Sequence, residues 1–334
     1  MAKTSGTEIN IGIGIESAAA PGTAVAEAYF IPWSEFSLQS VAEKEMFKSA
    51  RGIRNETSNS MIKRKYSQGS IGFVPNVEVM PFLLSLALGS VSSSTVSDSA
   101  YTHTFSVQNT NVSVKTATIT VEQGGVETAQ YTNCVCNSLN LEVSDSYAKC
   151  VAEFIGKFGT TDTISESFSK ETEFAYHQMT AKFGTSFSNA AGNSATPLKA
   201  FSLNINNNIL TDEAFLSGSN GIVTGGLIPG RLSISGSYSL HFADTTELAK
   251  YRANTKNALI VTFTGELIGA TSLELITFKL GKLILTAPPL EYNIDGLTVL
   301  NQEFTVEWDT TDYEISAIVV NDQANGTGSR YNPA

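Results

Sequence analysis

The sequence is short of charge. Only 16% of its 334 residues are Asp, Glu, Lys or Arg, against about a quarter in an ordinary globular protein. Cations are the scarcer sign: 21 Lys and Arg against 32 Asp and Glu leave a net charge of −11. A chain that holds nucleic acid by its phosphates needs clustered cations. The one tight cluster is Lys63-Arg64-Lys65, which reads as a solvated strand end or loop. Cys134, Cys136 and Cys150 are an odd number without C-x-x-C spacing, so a disulfide framework is not expected and a reducing compartment suits them. His103, His177 and His241 are scattered among strand-like segments, and no metal site is expected from them. Trp33 and Trp308 are the two tryptophans. Both fall on segments that read as core strands, which leaves little for an aromatic-lined sugar cleft. The longest apolar run, residues 81–88, is far too short to cross a bilayer. The opening MAKTSGTEIN is polar and no apolar signal region follows, so synthesis in the cytoplasm and no membrane span are expected.

Ser, Thr, Asn and Gly fill the space that charge leaves, and 42% of residues are apolar. This composition suits strands, tight turns and surfaces that meet other protein surfaces. The clearest pattern lies in residues 201–251. Phe201, Leu203 and Ile205 alternate with Ser202, Asn204 and Asn206. After a polar loop, Leu232, Ile234, Tyr238, Leu240 and Phe242 alternate with Ser233, Ser235, Ser237, Ser239 and His241. Period two is that of a half-buried strand. Asp244 and Glu247 then form a D-x-x-E helix start, with Leu248 and Tyr251 on one helical face.

Along the chain, residues 1–28 lack strong periodicity and read as an N-terminal arm lying on a neighbouring subunit. Gly12 and Gly14 make a bare G-x-G without the third glycine of a dinucleotide site. Residues 29–40 read as a strand kinked at Pro32, 41–65 as a long polar loop, and 66–74 as a strand. Residues 77–88 read as a helix with Pro81 in its first turn and Gly89 as its stop. Residues 90–99 read as a serine-rich loop and 101–108 as a strand. Residues 115–132 read as a hairpin turning at Gly124-Gly125. Strands follow at 135–143 and 149–158, a polar connection at 160–173, a strand at 174–184 and a flexible turn at 185–197. Beyond the 201–251 unit, strands are expected at 258–264, 271–279, 281–286, 302–308 and 313–320, then a polar tail.

The two halves repeat. FSLQS at 36–40 answers FSLNI at 201–205, and the loop 41–65 answers 207–230. Gly69-Ser70 answers Gly236-Ser237, and helix 77–88 answers 244–253. Strand 101–108 answers 258–264, and the strand of Phe154 answers that of Phe304. The expected fold is mainly β: two tandem antiparallel β-sandwich or half-barrel domains, 1–165 and 166–334, each with one short helix over an open side.

No motif for a nucleophile, phosphate loop or metalloprotease is present. The close acidic pairs Glu43/Glu45 and Glu171/Glu173 read as solvated charge. No catalytic, cofactor-binding or metal-binding residues are therefore expected, and the chain is not expected to be an enzyme.

Several stretches resemble the tail tube proteins of long-tailed, non-contractile bacteriophages, in the class with two tube domains in one chain. GIGIESAAAPGTAVAEAYFIPW is similar to that family's N-terminal arm and first strand. GFVPNVEVMPFLLSLALGS is similar to its Pro-containing helix. FSLNINNNI followed by IPGRLSISGSYSLHF is the closest match, and the likeness covers roughly the whole chain. The resemblance implies small sheets that join those of neighbouring subunits into a continuous barrel. It implies a ring of three copies with pseudo-sixfold symmetry, stacked around a tape-measure protein and meeting tail terminator and distal tail or baseplate proteins. DNA would pass through the lumen without specific binding, and the protein would reside in the virion tail. Loops 41–65 and 207–230 are the expected ring-to-ring contacts. The alternatives are the inner tube of a contractile tail or secretion system, and a carbohydrate-binding tail β-protein.

Overall fold

Two long strands bend from one layer of the molecule into another, and the remaining elements are arranged around them. The computed structural model describes residues 6–48, 54, 56–97, 99–109, 114–164, 172–215, 219–242, 245–286, 290–291, 298–308, 314–324 and 330–333. The first half holds β1 (Ile9–Ile15), β2 (Tyr29–Phe30), β3 (Trp33–Phe36), β4 (Gln39–Lys48), β5 (Thr57–Phe73) and α1 (Met80–Leu88). It continues with β6 (Gly89–Ser97), β7 (Ala100–Val107), β8 (Ala117–Gln123), β9 (Glu127–Val143), β10 (Lys149–Gly156) and β11 (Thr160–Thr161). The second half holds β12 (Met179–Gly184), α2 (Phe187–Gly192), β13 (Ala200–Asn206), β14 (Ser233–His241) and α3 (Thr246–Arg252). It ends with β15 (Asn257–Ile268), β16 (Ser272–Leu285), β17 (Leu290–Glu291), β18 (Val299–Glu307) and β19 (Ile315–Asn321).

The main sheet is antiparallel and runs through both halves. Its order is β3/β4, β5, β10, β9, β13, β14, β18, then the end of β16 with β17. β9 and β16 are the bent strands. The first part of β9 leaves the main sheet to pair with β8, which pairs with β1. The first part of β16 does the same with β15, which pairs with β12. Strands that change sheets in this way make the corners of a β-sandwich. On its other side β16 pairs with β19, which carries β7 and then β6. The fold is thus mainly β, as the alternating sequence predicts.

Two ladders of the first half have counterparts in the second. β5 lies between β3/β4 and β10 as β14 lies between β13 and β18. β8 lies between β1 and β9 as β15 lies between β12 and β16. One pairing from the sequence changes: the counterpart of strand 257–268 is β8, whereas β7 sits between β6 and β19. The halves also share one apolar core, in which Phe154 and Leu141 of the first meet the same cluster as Phe201, Tyr238 and Phe304 of the second.

Helix α1 is apolar on every side, and each of its residues is buried, which is how such a helix must sit. The Asn76 Oδ1 accepts from the Glu78 and Val79 amides ahead of it, at 3.1 and 2.8 Å. Pro81 occupies its first turn, where a missing N–H costs nothing. Gly89, at φ 91°, ends it, a conformation that glycine adopts without strain.

Several expectations fail, each for a physical reason. Residues 9–15 are not an arm on a neighbour. They form β1 between β2 and β8, with Ile11 and Ile13 fully buried. INIGIGI does alternate, but the glycines hide the pattern. Of the expected loop 41–65, residues 41–48 and 57–65 are strand: β4 and β5 pair as a long hairpin. It lacks a period because most of it has no buried face. Ser90, Ser92, Ser93, Ser94 and Ser97 belong to β6, paired along its length with β7. The turn 185–197 contains α2, started by Ser186 Oγ accepting from the Asn189 amide. The second half therefore has two short helices, not one. Asp244 lies outside the described residues, and α3 begins at Thr246 after Thr245. Strands 271–279 and 281–286 are one bent strand, β16. Trp308 is not in a core but 55% exposed beyond β18. The tail is not merely polar, since Tyr331 is fully buried. The hairpin at Gly124-Gly125 forms as expected, with φ of 55° and 68°.

Candidate functional site

The main sheet has one apolar face and one polar face. Facing the core are Phe73, Ile71, Cys150, Ala152, Phe154, Leu139, Leu141, Phe201, Leu203, Tyr238 and Phe304. Their strand neighbours lie on the other side and share transverse rows. One row runs Lys149, Glu142, Ser202, Ser237, Glu303. The next runs Glu35, Gly72, Val151, Asn140, Asn204, Ser235, Thr305. Small hydroxyls and amides dominate. Their hydrogen bonds run within the face: Ser37 Oγ to Ser70 Oγ at 2.9 Å, Ser202 Oγ to Ser237 Oγ at 2.8 Å, and Ser239 Oγ donating to Asn301 Oδ1 at 2.6 Å.

The charge on this face is mostly negative. Glu35, Glu142, Glu153 and Glu303 stand against Lys149, which pairs with Glu35 at 2.6 Å. Ser138 Oγ donates to Glu153 at 2.8 Å. A shallow depression of about 250 Å3 lies among Ser138, Asn140, Glu142, Lys149, Glu153 and Asn204. It is wide and open, without a nucleophile–base pair. Carboxylates facing a phosphate backbone repel it, so the face does not suit holding a polyanion.

Both ends of the main sheet are open among the described residues: β3 and β4 pair on one side with β5, and β17 pairs on one side with β18. Open edges present unpaired backbone groups and invite another strand. The hairpin β4–β5 projects from one of these ends, and ten residues of strand at 3.3 Å each give it a reach of about 30 Å. Near its tip Met46, Phe47 and Met61 are exposed. Loop 207–230 lies against the base of this hairpin. Ala214, Ile222 and Leu227 form a small core with Val135. Arg64 stacks over Phe215 at 4.8 Å, and Tyr66 meets Phe215 edge-on at 5.9 Å. The two segments expected to make ring contacts are therefore adjacent, which the sequence did not indicate.

The remaining candidates take structural places. Lys63, Arg64 and Lys65 lie on β5, where Lys65 approaches the Phe158 ring at 5.4 Å. Gly12 and Gly14 let residues 25–27 pass close: a Cβ would stand 2.3 Å from Glu27 Cγ and 2.5 Å from the Ala26 carbonyl oxygen. His103 is buried, with Nδ1 2.8 Å from Ser93 Oγ and Nε2 3.0 Å from Asn321 Oδ1. Burial lowers its pKa, while His177 and His241 are exposed on distant elements. No group of potential metal ligands forms among the described residues. Glu43 accepts from the Tyr66 hydroxyl at 3.0 Å, and Glu45 lies two residues on along β4. Glu171 lies outside the described residues. The three cysteines are free and buried.

The family model of the phage tail tube protein matches residues 6–308, nearly the whole chain and both halves of the repeat. The chain belongs to the phage tail tube protein family. It is accordingly a structural component of the virion tail, with a non-enzymatic role and a tube as its assembled form. No individual curated protein shows significant similarity to this tail tube chain. None of its described helices is long and apolar enough to cross a membrane.

Proposed function

We propose that three copies of this tail tube protein close into a ring with pseudo-sixfold contours, and that rings stack into the conduit for genome delivery. Each chain contributes two tube units, 1–165 and 166–334. The polar face of the main sheet lines the lumen, and the apolar core lies on its outer side. The observation that carries this reading is the eight-stranded main sheet, polar on one face, packed on the other and open at both ends. Such a sheet leaves no exposed edge once it closes with copies of itself. Two different edges must meet, and heterologous contacts of that kind generate rings. The β4–β5 hairpin and loop 207–230 make the ring-to-ring contacts. Other partners are a tape-measure protein inside the growing tube, a tail terminator above it and distal tail or baseplate proteins below. The subunit is made in the host cytoplasm, where its three free cysteines remain reduced.

Electron microscopy of the purified protein tests this. Rings or tubes are expected, with threefold symmetry and a sixfold outline. A protein that stays monomeric at high concentration, even with tail-tip nuclei, would overturn the reading.

A further inference from the structure

The joint between the two halves inside one chain has the same elements as the joint needed between two chains. We infer that the register of the contact between copies is already written in the β9–β13 ladder: Ser37 lies opposite Glu291 of the partner subunit, and Leu38 opposite Leu290 of the partner subunit. This rests on the ring reading above and adds its residue-level pairing.

Three correspondences fix the register. First, Gly69 of β5 lies opposite Phe154 of β10, and Gly236 of β14 lies opposite Phe304 of β18. The residue before each phenylalanine is also the same, Glu153 and Glu303. Second, the strand beside each glycine is tied to it identically. Ser70 donates its amide to Ser37 Oγ at 2.9 Å, and Ser237 donates its amide to Ser202 Oγ at 3.0 Å. The two hydroxyl pairs, Ser37–Ser70 and Ser202–Ser237, are the ones already described on the polar face. Phe36-Ser37-Leu38 therefore corresponds to Phe201-Ser202-Leu203. Third, Leu141 and Glu142 of β9 lie opposite Cys150 and Lys149, four and five residues before Phe154. Leu290 and Glu291 of β17 lie opposite Leu300 and Val299, four and five residues before Phe304. Leu-Glu at 141–142 thus corresponds to Leu-Glu at 290–291.

Within the chain, Leu203 lies opposite Leu141 and Ser202 opposite Glu142, antiparallel. Leu38, like Leu203, points to the core side and is buried. Replacing each residue by its counterpart gives Leu38 opposite Leu290 of the partner subunit and Ser37 opposite Glu291 of the partner subunit. Leu38 is held on the core side by its own sheet, so a shift of one residue between the chains would set core-facing positions of one sheet opposite polar-facing positions of the other, and the joined faces would no longer match. The edges that meet are the two left open at opposite ends of the main sheet.

Paired cysteines test the register in the full-length protein. Residues directly opposite in an antiparallel ladder have Cβ atoms about 4.5–5.5 Å apart, within reach of a disulfide formed with a mild added oxidant or of a short bifunctional thiol-reactive cross-linker. With Ser37→Cys and Glu291→Cys in one chain, assembled rings should cross-link into covalent dimers and then trimers, and no further within a ring. Mixing the two single variants should give dimers and no trimers. Glu142→Cys with Ser202→Cys should link within one chain and so calibrate the reaction on the internal joint. Glu35→Cys with Glu291→Cys, two residues out of register, should link at least tenfold more slowly. Rings visible by microscopy whose Ser37→Cys/Glu291→Cys pair does not link, or links no faster than the out-of-register pair, would overturn this inference and leave the ring reading standing. Absence of rings in the unmodified protein would overturn both.

Discussion

Gly236 faces Phe304 across the β14–β18 ladder so closely that a Cβ on Gly236 would stand 2.6 Å from Phe304 Cζ and 2.2 Å from the Ser202 carbonyl oxygen. The glycine makes room for the phenylalanine and for the neighbouring strand together. Gly236→Ala should therefore destabilise the fold by about 1–3 kcal/mol, the usual cost of overpacking. Urea denaturation monitored by circular dichroism measures it. Adding Phe304→Leu should recover only part of the loss, because the Ser202 backbone still obstructs the methyl group.

Tyr331 anchors the end of the chain. Its ring meets those of Phe82 and His103 at 5.0 Å each, and its carbonyl oxygen accepts from Ser85 Oγ at 2.6 Å and Lys115 Nζ at 3.1 Å. Tyr331→Ala should cost about 3 kcal/mol, in the range for truncating a buried aromatic ring. Deleting residues 330–334 should cost about as much. A deletion that leaves the thermal midpoint unchanged would show that the tail is not part of the core.

Glu78 gives stability a pH dependence. Burial raises its pKa first, Asp322 and Glu274 add to the rise, and Arg330, 3.9 Å away, opposes it; the result is about 7. The folded protein thus holds the proton more tightly than the unfolded chain. Its contribution is fully present below the ordinary carboxyl pKa and is lost as pH rises through about 7. Glu78→Gln should be insensitive to this change. Between pH 5 and pH 8 the stability of the wild type should fall relative to that of the variant by about 1–3 kcal/mol. Parallel denaturation curves at the two pH values would contradict the assignment.

The cysteines should be inert in the folded protein. Burial pushes the Cys136 thiol up to about 12, and burial raises those of Cys134 and Cys150 as well. A thiol-reactive dye should label none of them in native protein at neutral pH and all three after denaturation. Rapid labelling of native protein would mean that β9 or β10 opens readily.

The hairpin tip should matter to assembly and not to folding. Met46, Phe47 and Met61 are 61%, 49% and 51% exposed, so changing all three to Ser should alter stability by no more than about 0.5 kcal/mol each. Tube length in electron micrographs should fall sharply while single rings persist. Normal tubes from the triple variant would remove the hairpin from the stacking contact.

Local pattern carried much of this protein. Strict alternation in 201–206 and 233–241 made β13 and β14 legible, and the Pro81 and Gly89 signals bounded α1, because strand period and helix ends are properties of a few neighbouring residues. The repeated FSL and Gly-Ser segments also pointed to two corresponding halves. Tertiary structure decided what local pattern could not express. β1 was hidden because glycines stand where polar residues would mark a face, and their role is to admit residues 25–27. The β4–β5 hairpin was hidden because a ladder wet on both faces has no apolar period. Tyr331 was unreadable as core because its partners, Phe82, His103 and Phe105, are brought together only by α1 and β7. The polar serine face could be read from sequence alone. That it spans both halves as one sheet with two open ends follows from the β9–β13 ladder, a contact between residues about 60 positions apart, and no local pattern encodes so distant a pairing.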